Sequence, residues 1–215
     1  MKTIAVLGSG AVGQVLADGF LKHGYAVIRG SREAYKLDEW KAMTGERGRT
    51  GTFAEAAAAG DIVVLAVKGT AAASAVELAG AANLAGKIVI DATNPIADEP
   101  PQQGVIRFFT GPNDSLMERL QTQVPGARFV KAFSSVGNAL MVNPQLAGGP
   151  PSMFICGDDP AAKAEVTEIL RQFGWEAEDC GGVTGARAIE PLCMLWCIPG
   201  ILRNDWAHAY KVLRR

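Results

Sequence analysis

The amino-acid sequence predicts an α/β fold in which helices cover both faces of a parallel sheet. Short apolar runs alternate with helical patterns along most of the chain, as expected when crossover helices join parallel strands. Two of these runs, residues 61–67 and 87–91, show no polar alternation, which is typical of strands covered on both faces. A glycine-rich turn at residues 8–13 separates the first strand from the first helix. Together these features predict a Rossmann-type, doubly wound sheet.

Each predicted element rests on its apolar spacing and on the residues that bound it. In the first helix, for example, Val12, Leu16 and Phe20 lie on one side, and Gly24 ends the helix. The predicted strands are residues 2–7, 25–29, 50–53, 61–67, 87–91, 128–133, 152–156 and 175–179. The predicted helices are residues 11–23, 33–43, 70–82, 114–124, 160–173 and 184 to the end, with breaks or kinks at Pro191 and Pro199. The alanine cluster at residues 56–59 is also expected to be helical.

Two proline-containing stretches interrupt this alternation. Residues 92–112 contain four prolines and form an irregular segment, of a length that is common in lids and binding loops. Residues 144–151 resemble a connector. The sequence therefore predicts a Rossmann domain over residues 1–148 and a small C-terminal α/β lobe over residues 149–215 that ends in helices.

Composition argues against several classes of function. The formal net charge of −1 gives no indication of a nucleic-acid partner. The apolar segment at residues 189–202 is shorter than the ~20 residues of a membrane span, and the N-terminus has no secretory pattern. Cys193 and Cys197 are four residues apart but lack the further ligands of a zinc site. We therefore expect no metal, no membrane contact, reduced thiols and a cytoplasmic location.

The turn Gly8-Ser9-Gly10-Ala11-Val12-Gly13 has the G-x-G-x-x-G spacing of dinucleotide-binding loops. In such loops the first glycine turns the chain, the second lets the backbone approach a pyrophosphate, and the third allows close packing of helix and strand. The N-terminus of the following helix supplies free N–H groups and partial positive charge. The pattern therefore predicts a dinucleotide site, with a purely structural strand–turn–helix as the alternative.

The residues after the second strand indicate which dinucleotide binds. An NAD site usually has an Asp or Glu there, whereas this chain has Ser31 and Arg32, with Lys36 one helical turn further on. Because an arginine can hold a 2′-phosphate through paired hydrogen bonds, the sequence predicts NADP(H). The alternative is that Arg32 and Lys36 are solvated surface cations. Arg47 and Arg49 either face the same phosphate or lie in a mobile surface turn.

Further candidate contacts follow the fourth and fifth strands, because ligands of open α/β sheets bind at the carboxyl ends of the strands. Ala66, Val67 and Lys68 follow the fourth strand, and residues 91–95 follow the fifth. Each group is either a ligand contact or an ordinary strand exit.

No acid–base catalyst is evident in the sequence. The two histidines, His23 and His208, lack a catalytic context, and no tyrosine has a lysine four residues later. Hydride transfer between a nicotinamide and a second planar ring needs no general base. Elimination therefore favours that reaction and leaves the catalytic residue unknown.

Several segments of the chain together resemble a known family. They are residues 4–10 with Ser31 and Arg32, and residues 61–67, 130–134, 155–159 and 182–190. The pattern is similar to the NADPH-dependent reductases of the deazaflavin coenzyme F420 and to the cytosolic reductase domains of the STEAP metalloreductases. The resemblance covers nearly the whole chain, and its later segments are more specific than the glycine loop.

The resemblance implies an oxidoreductase that transfers hydride between NADP(H) and a second redox ring, F420 or a flavin. It implies that residues 1–148 bind NADP(H), and that residues 149–215 complete the cleft and contribute to a homodimer contact around residues 192–202. The candidate residues for the nicotinamide and its partner ring are Asn94, Pro95, Ser134, Val136, Thr184 and Arg187. The archaeal members have a histidine at the position of Ser134, and the STEAP members continue into membrane helices. These departures leave a flavin, a deazaflavin or another small molecule open as the acceptor.

Two other functions fit part of this pattern. An imine or pyrroline-type reductase shares the N-terminal fold but places its substrate in a large helical dimer domain, and only about thirty residues follow Thr184 here. A non-catalytic NADP(H) sensor is the second alternative, because no acid–base group requires catalysis.

Overall fold

Six parallel strands form one sheet in the order β3-β2-β1-β4-β5-β6. The strands are β1 (Thr3–Leu7), β2 (Ala26–Gly30), β3 (Gly48–Gly51), β4 (Ile62–Leu65), β5 (Ile88–Asp91) and β6 (Arg128–Lys131). The structure is a computed structural model that describes residues 2–215, except for the side chain of Ala34. The strand order reverses direction between β1 and β4, which is where ligands bind in doubly wound sheets. The predicted parallel, Rossmann-type sheet is therefore confirmed.

Helices cover both faces of this sheet. They are α1 (Ala11–Lys22), α2 (Asp38–Met43), α3 (Phe53–Ala59), α4 (Gly69–Ala79), α5 (Ala81–Leu84), α6 (Leu116–Gln123), α7 (Pro160–Gln172) and α8 (Ala186–Arg203). Buried residues of α1, α2 and α7 share one core with the alternate strand residues Val6 and Val64. Those of α3, α4 and α6 share the other core with Leu7 and Leu65. The continuous apolar strands follow from this two-sided burial.

The C-terminal lobe contains a second, two-stranded parallel sheet formed by β7 (Ser152–Ile155) and β8 (Glu176–Asp179). The lobe shares a core with the first domain: the ring centroid of Phe173 lies 4.9 Å from that of Phe20 on α1. The backbone N–H of Lys131 on β6 also donates to the carbonyl of Cys156, at 3.0 Å. The division at residue 148 stays a prediction, and the two units pack through a continuous core.

The predicted helix from residue 184 to the end is wrong in its last part. The helix α8 runs through Pro191 and Pro199 and ends at Arg203, where Asn204 adopts a left-handed backbone with φ of 55°. Residues 204–215 form no helix and instead return along β7. The N–H of Ser152 donates to the carbonyl of Tyr210 at 2.9 Å. This bond, with that from the N–H of Val212 to Ser152 Oγ at 3.0 Å, holds the tail against the start of β7.

Several other boundaries differ from the prediction. The third strand ends at Gly51, two residues early, because Thr52 begins α3 through reciprocal hydrogen bonds with Glu55. The predicted helix over residues 33–43 is a short 3-10 turn, Ala34–Leu37, followed by α2. The irregular segment is confirmed: residues 92–115 contain only isolated antiparallel bridges, Ile96 with Phe108 and Gln102 with Val105.

Candidate functional site

A cavity of about 200 Å³ lies at the carboxyl ends of β1, β2 and β4. It brings together most of the predicted cofactor residues, which come from three separate parts of the sequence. The lining residues are Gly8, Ser9, Gly10, Ser31, Arg32, Glu33, Lys36, Phe53, Ala66, Val67, Lys68, Ala71, Ser74 and Ala75. The position of this cavity at the switch point of the sheet is that of a nucleotide site.

The three glycines of the turn differ in what surrounds them. Gly8 has a φ of +149°, and a Cβ atom there would lie 2.1 Å from the carbonyl oxygen of Ala66. A Cβ on Gly13 would lie 2.6 Å from the carbonyl oxygen of Gly8. A Cβ on Gly10 would meet no atom within 4 Å, so that position borders open space. The turn therefore packs tightly against backbone at Gly8 and Gly13, and it leaves room for a ligand at Gly10.

The N-terminus of α1 faces this space without a side-chain cap. Gly10 is the N-cap residue, and no acidic side chain lies in the first turn, which includes Ala11, Val12 and Gly13. The first N–H groups of a helix have no partner within the helix, and they carry partial positive charge. This end of α1 is therefore suited to an anion such as a pyrophosphate.

The residues after β2 form the charged wall of the cavity. Ser31 is 4% exposed, and its N–H donates to the carbonyl of Gly51 at 3.1 Å. The Lys36 ammonium lies 2.8 Å from the carboxylate of Glu33, whose pKa is lowered by its hydrogen bonds with Lys36 and Tyr35. Arg32 is exposed at the cavity wall and forms no ion pair within residues 2–215. Glu33 follows Arg32 directly in the chain and lies in the same wall, beside the basic residues.

The segments that follow β5 and β6 meet at the carboxyl edge of the sheet. The Asn94 side-chain Nδ2 donates to the carbonyl of Ser134 at 2.7 Å. Two buried atoms here, Asn94 Oδ1 and Ser134 Oγ, have no hydrogen-bond partner within residues 2–215. Phe133, directly before Ser134, has a left-handed conformation with φ of 62°, which is unusual for a bulky residue. Strained backbone and unpaired buried polar atoms together are typical of ligand sites.

Other predicted residues already form contacts with protein side chains or lie outside the cavity. The Lys68 ammonium forms an ion pair with Asp98 in the irregular segment. The Arg187 guanidinium forms paired hydrogen bonds with Glu118 on α6, at 2.7 and 2.9 Å. Thr184 is exposed in the turn before α8. Arg47 and Arg49 are exposed and do not line the cavity described here.

Two buried basic residues near the site were not predicted as functional. Arg29 is 1% exposed and donates from Nη2 to the carbonyl of Gly8 at 3.1 Å. Lys131 is fully buried between Asp91 and Glu190, with Nζ–oxygen distances of 2.7 and 2.9 Å. The sequence feature that could have identified both is a basic residue within an apolar strand. Such a residue is buried and therefore needs a partner inside the protein.

The buried Cys156 is not a reactive thiol. Burial raises the pKa of Cys156 to about 12, so its thiol is protonated at neutral pH. Within residues 2–215, no group of three or more His, Cys, Asp or Glu side chains is placed to hold a metal ion.

Comparison with known proteins identifies the family. A family model described as NADP oxidoreductase, coenzyme F420-dependent, matches residues 3–95. The crystal structure of a candidate F420-dependent NADP reductase from Arthrobacter sp. FB24 is 32% identical, covers 100% of both chains and has a TM-score of 0.91. This chain belongs to the F420-dependent NADP oxidoreductase family. The family resemblance seen in the sequence is thereby confirmed.

The chain is similar to curated proteins of two kinds. The F420-dependent NADP reductase of Methanothermobacter marburgensis is 29% identical over 95% of this chain and 96% of its own length. Rat metalloreductase STEAP3 is 30% identical over 93% of this chain. The chain spans 38% of the length of STEAP3. At lower identity, the imine reductase of Streptomyces aurantiacus shares the fold, with 20% identity and a TM-score of 0.68 over 94% of this chain.

Proposed function

We propose that this protein is an NADP(H)-dependent oxidoreductase that transfers hydride between NADPH and a second redox ring, coenzyme F420 or a flavin. The observation that carries the proposal is the arrangement of Ser31, Arg32 and Lys36 beside the glycine loop and the uncapped N-terminus of α1. The helix end suits the pyrophosphate, and the basic wall suits a 2′-phosphate. Family membership supports the same reaction class.

The residues of this chain fit the two halves of the cofactor. Gly8, Ser9 and Gly10, with the first turn of α1, would hold the pyrophosphate, and Ser31, Arg32 and Lys36 the 2′-phosphate. The exits of β4, β5 and β6 would border the nicotinamide, which supplies the hydride when bound. There Asn94 Oδ1 can accept and Ser134 Oγ can donate a hydrogen bond, which would offset the cost of burying both atoms unpaired.

A turnover assay with alternative acceptors tests this function. Purified protein with NADPH is supplied in turn with F420, FMN, FAD, a ferric chelate or a cyclic imine, and loss of NADPH absorbance is followed. We expect turnover with F420 or a flavin. Turnover with the imine alone would favour an imine reductase, and tight NADPH binding without any turnover would favour a sensor. Absence of NADPH binding would contradict the proposal itself.

We further propose a homodimer whose contact lies on α8. The segment Val183–Arg203 has a mean hydropathy of 1.2, yet only 33% of it is buried within the protomer. Within residues 2–215 it is the one helix that is long and apolar enough to cross a membrane. Core helices of soluble proteins can be equally long and apolar. Its buried Glu190 pairs with Lys131 of the sheet, which favours a second copy of the chain over lipid as the partner.

Free cysteines and the balanced charge fit a cytoplasmic protein without a nucleic-acid partner.

A charge on the exposed face of α8 should dissociate this dimer. Leu195 is 56% exposed in the protomer, so Leu195→Lys would bury an unpaired ammonium at the contact. Sedimentation velocity should show a dimer for the unmodified protein and a monomer for the variant. Leu78→Lys on α4, where the leucine is 49% exposed, is the matched control and should remain dimeric. A monomeric unmodified protein, or a dimeric Leu195→Lys variant, would refute this contact.

A further inference from the structure

The guanidinium of Arg29 lies directly behind the glycine loop. The residue is 1% exposed on β2, and its Nη2 donates to the carbonyls of Gly8 at 3.1 Å and Gly10 at 3.4 Å. The guanidinium carbon lies 5.1 Å from the ring centroid of Trp40 on α2. Arg29 therefore connects the loop to the helix layer beneath it, and it is separate from the exposed Arg32.

These contacts determine where the neighbouring N–H groups point. In a planar trans peptide, the C=O and the following N–H point in opposite directions. Because the Gly8 and Gly10 carbonyls are turned towards Arg29, the N–H groups of Ser9 and Ala11 are directed away from it. Neither N–H donates to a protein acceptor within residues 2–215. Both are thus available to a ligand on the outer side of the loop.

Arg29 also places a positive charge at this position. Burial lowers the pKa of the Arg29 guanidinium and Asp18 opposes this shift, but arginine stays protonated in proteins. The Asp18 carboxylate accepts a hydrogen bond from Trp40 Nε1 at 2.6 Å, and it forms no direct ion pair with Arg29. The guanidinium Nε has no partner within residues 2–215. The charge is therefore incompletely neutralised by its protein neighbours, and its field adds to that of the α1 N-terminus.

We propose that Arg29 is a positioning residue for the cofactor pyrophosphate, an inference that rests on the proposed NADP(H) function. It orients the glycine loop so that its N–H groups face the pyrophosphate, and it supplies positive charge behind them. Since both forms of the dinucleotide carry the same pyrophosphate, Arg29 strengthens binding of NADPH and NADH by the same factor. Selection between them belongs to Arg32.

Isothermal calorimetry on Arg29 variants tests this inference. In Arg29→Met, the Kd of both NADPH and NADH should rise on the order of tenfold, and their ratio should stay that of the unmodified protein. Arg29→Lys keeps the charge without the two-carbonyl geometry, so its Kd values should lie between those of Arg29→Met and the unmodified protein. Val166→Ala, a buried change on α7, is the control: it should lower Tm without changing either Kd.

The outcomes separate this inference from the proposed function. If the unmodified protein binds neither dinucleotide, the proposed function fails. If it binds NADPH but Arg29→Met binds equally well, or loses affinity for NADPH alone, the inference about Arg29 is overturned and the function stands. Should Arg29→Met fail to fold, Arg29→Lys decides: an equal rise in both Kd values supports the inference, and unchanged values overturn it.

Discussion

Replacement of Lys131 by methionine should lower the free energy of unfolding by about 3–5 kcal/mol, the usual cost of removing one partner from a buried ion pair. Lys131 is fully buried, and its Nζ lies 2.7 Å from Asp91 Oδ2 and 2.9 Å from Glu190 Oε1. Without the ammonium, two buried carboxylates face each other with no countercharge. Because a domain is stable by only about 5–15 kcal/mol, the loss should be a large part of the total.

The effect should be large because Lys131, Asp91 and Glu190 connect the ends of β5 and β6 to α8. The carboxylate of Glu190 on α8 accepts the N–H groups of Leu116 and Met117 at 3.0 and 3.1 Å, and so caps α6. Lys131 Nζ donates to the carbonyl of Thr93 at 2.9 Å, next to the site residue Asn94. Burial alone would lower the pKa of Lys131, but the two carboxylates outweigh it and raise that pKa above its ordinary value. Lys131 therefore remains charged at neutral pH.

Urea denaturation of matched variants measures this contribution. Lys2→Met is the control because Lys2 forms an exposed pair with Glu165 at 2.7 Å, and such pairs contribute about 0–1 kcal/mol. The double variant Lys131→Met with Glu190→Gln should be less destabilised than the sum of the single variants, since the second change removes an uncompensated charge. A Lys131→Met protein no less stable than Lys2→Met would contradict the assigned role.

Replacement of Arg32 by alanine should weaken NADPH binding by about 1.5–3 kcal/mol, or roughly 10- to 150-fold, and should leave NADH binding almost unchanged. The reason is that only NADPH carries the 2′-phosphate, and Arg32 is the exposed guanidinium of the cavity wall. Lys36 is held by Glu33 at 2.8 Å, so its charge is partly offset before the ligand arrives. Arg32 should consequently contribute more to the discrimination than Lys36.

Calorimetric titration of NADPH and NADH into each protein checks this prediction. Arg171→Ala is the control because Arg171 is exposed on α7, outside the cavity, and pairs with Glu168. It should bind both dinucleotides as the unmodified protein does. Equal loss of affinity for both cofactors in Arg32→Ala, or tighter binding of NADH than of NADPH by the unmodified protein, would refute the cofactor assignment.

The features that could be predicted are those decided by near neighbours in the chain. The strand, turn and helix over residues 3–22 follow from apolar spacing and from glycines at positions where a Cβ would collide with backbone. The basic residues after β2 are likewise read directly from the sequence. Contacts between distant segments were less accessible. For example, Arg187 forms hydrogen bonds with Glu118, which lies 69 residues away on another helix.

The sequence alone determined the doubly wound sheet, the nucleotide loop and the preference expected for a phosphorylated cofactor, because periodicity, glycine sterics and local charge act over a few residues. Only the tertiary structure decided the course of the C-terminal tail and the partners of Arg29 and Lys131. Their partners lie on other elements: Gly8 is 21 residues from Arg29, and Glu190 comes from α8. A buried charge requires a partner, but chain folding determines which residue supplies it.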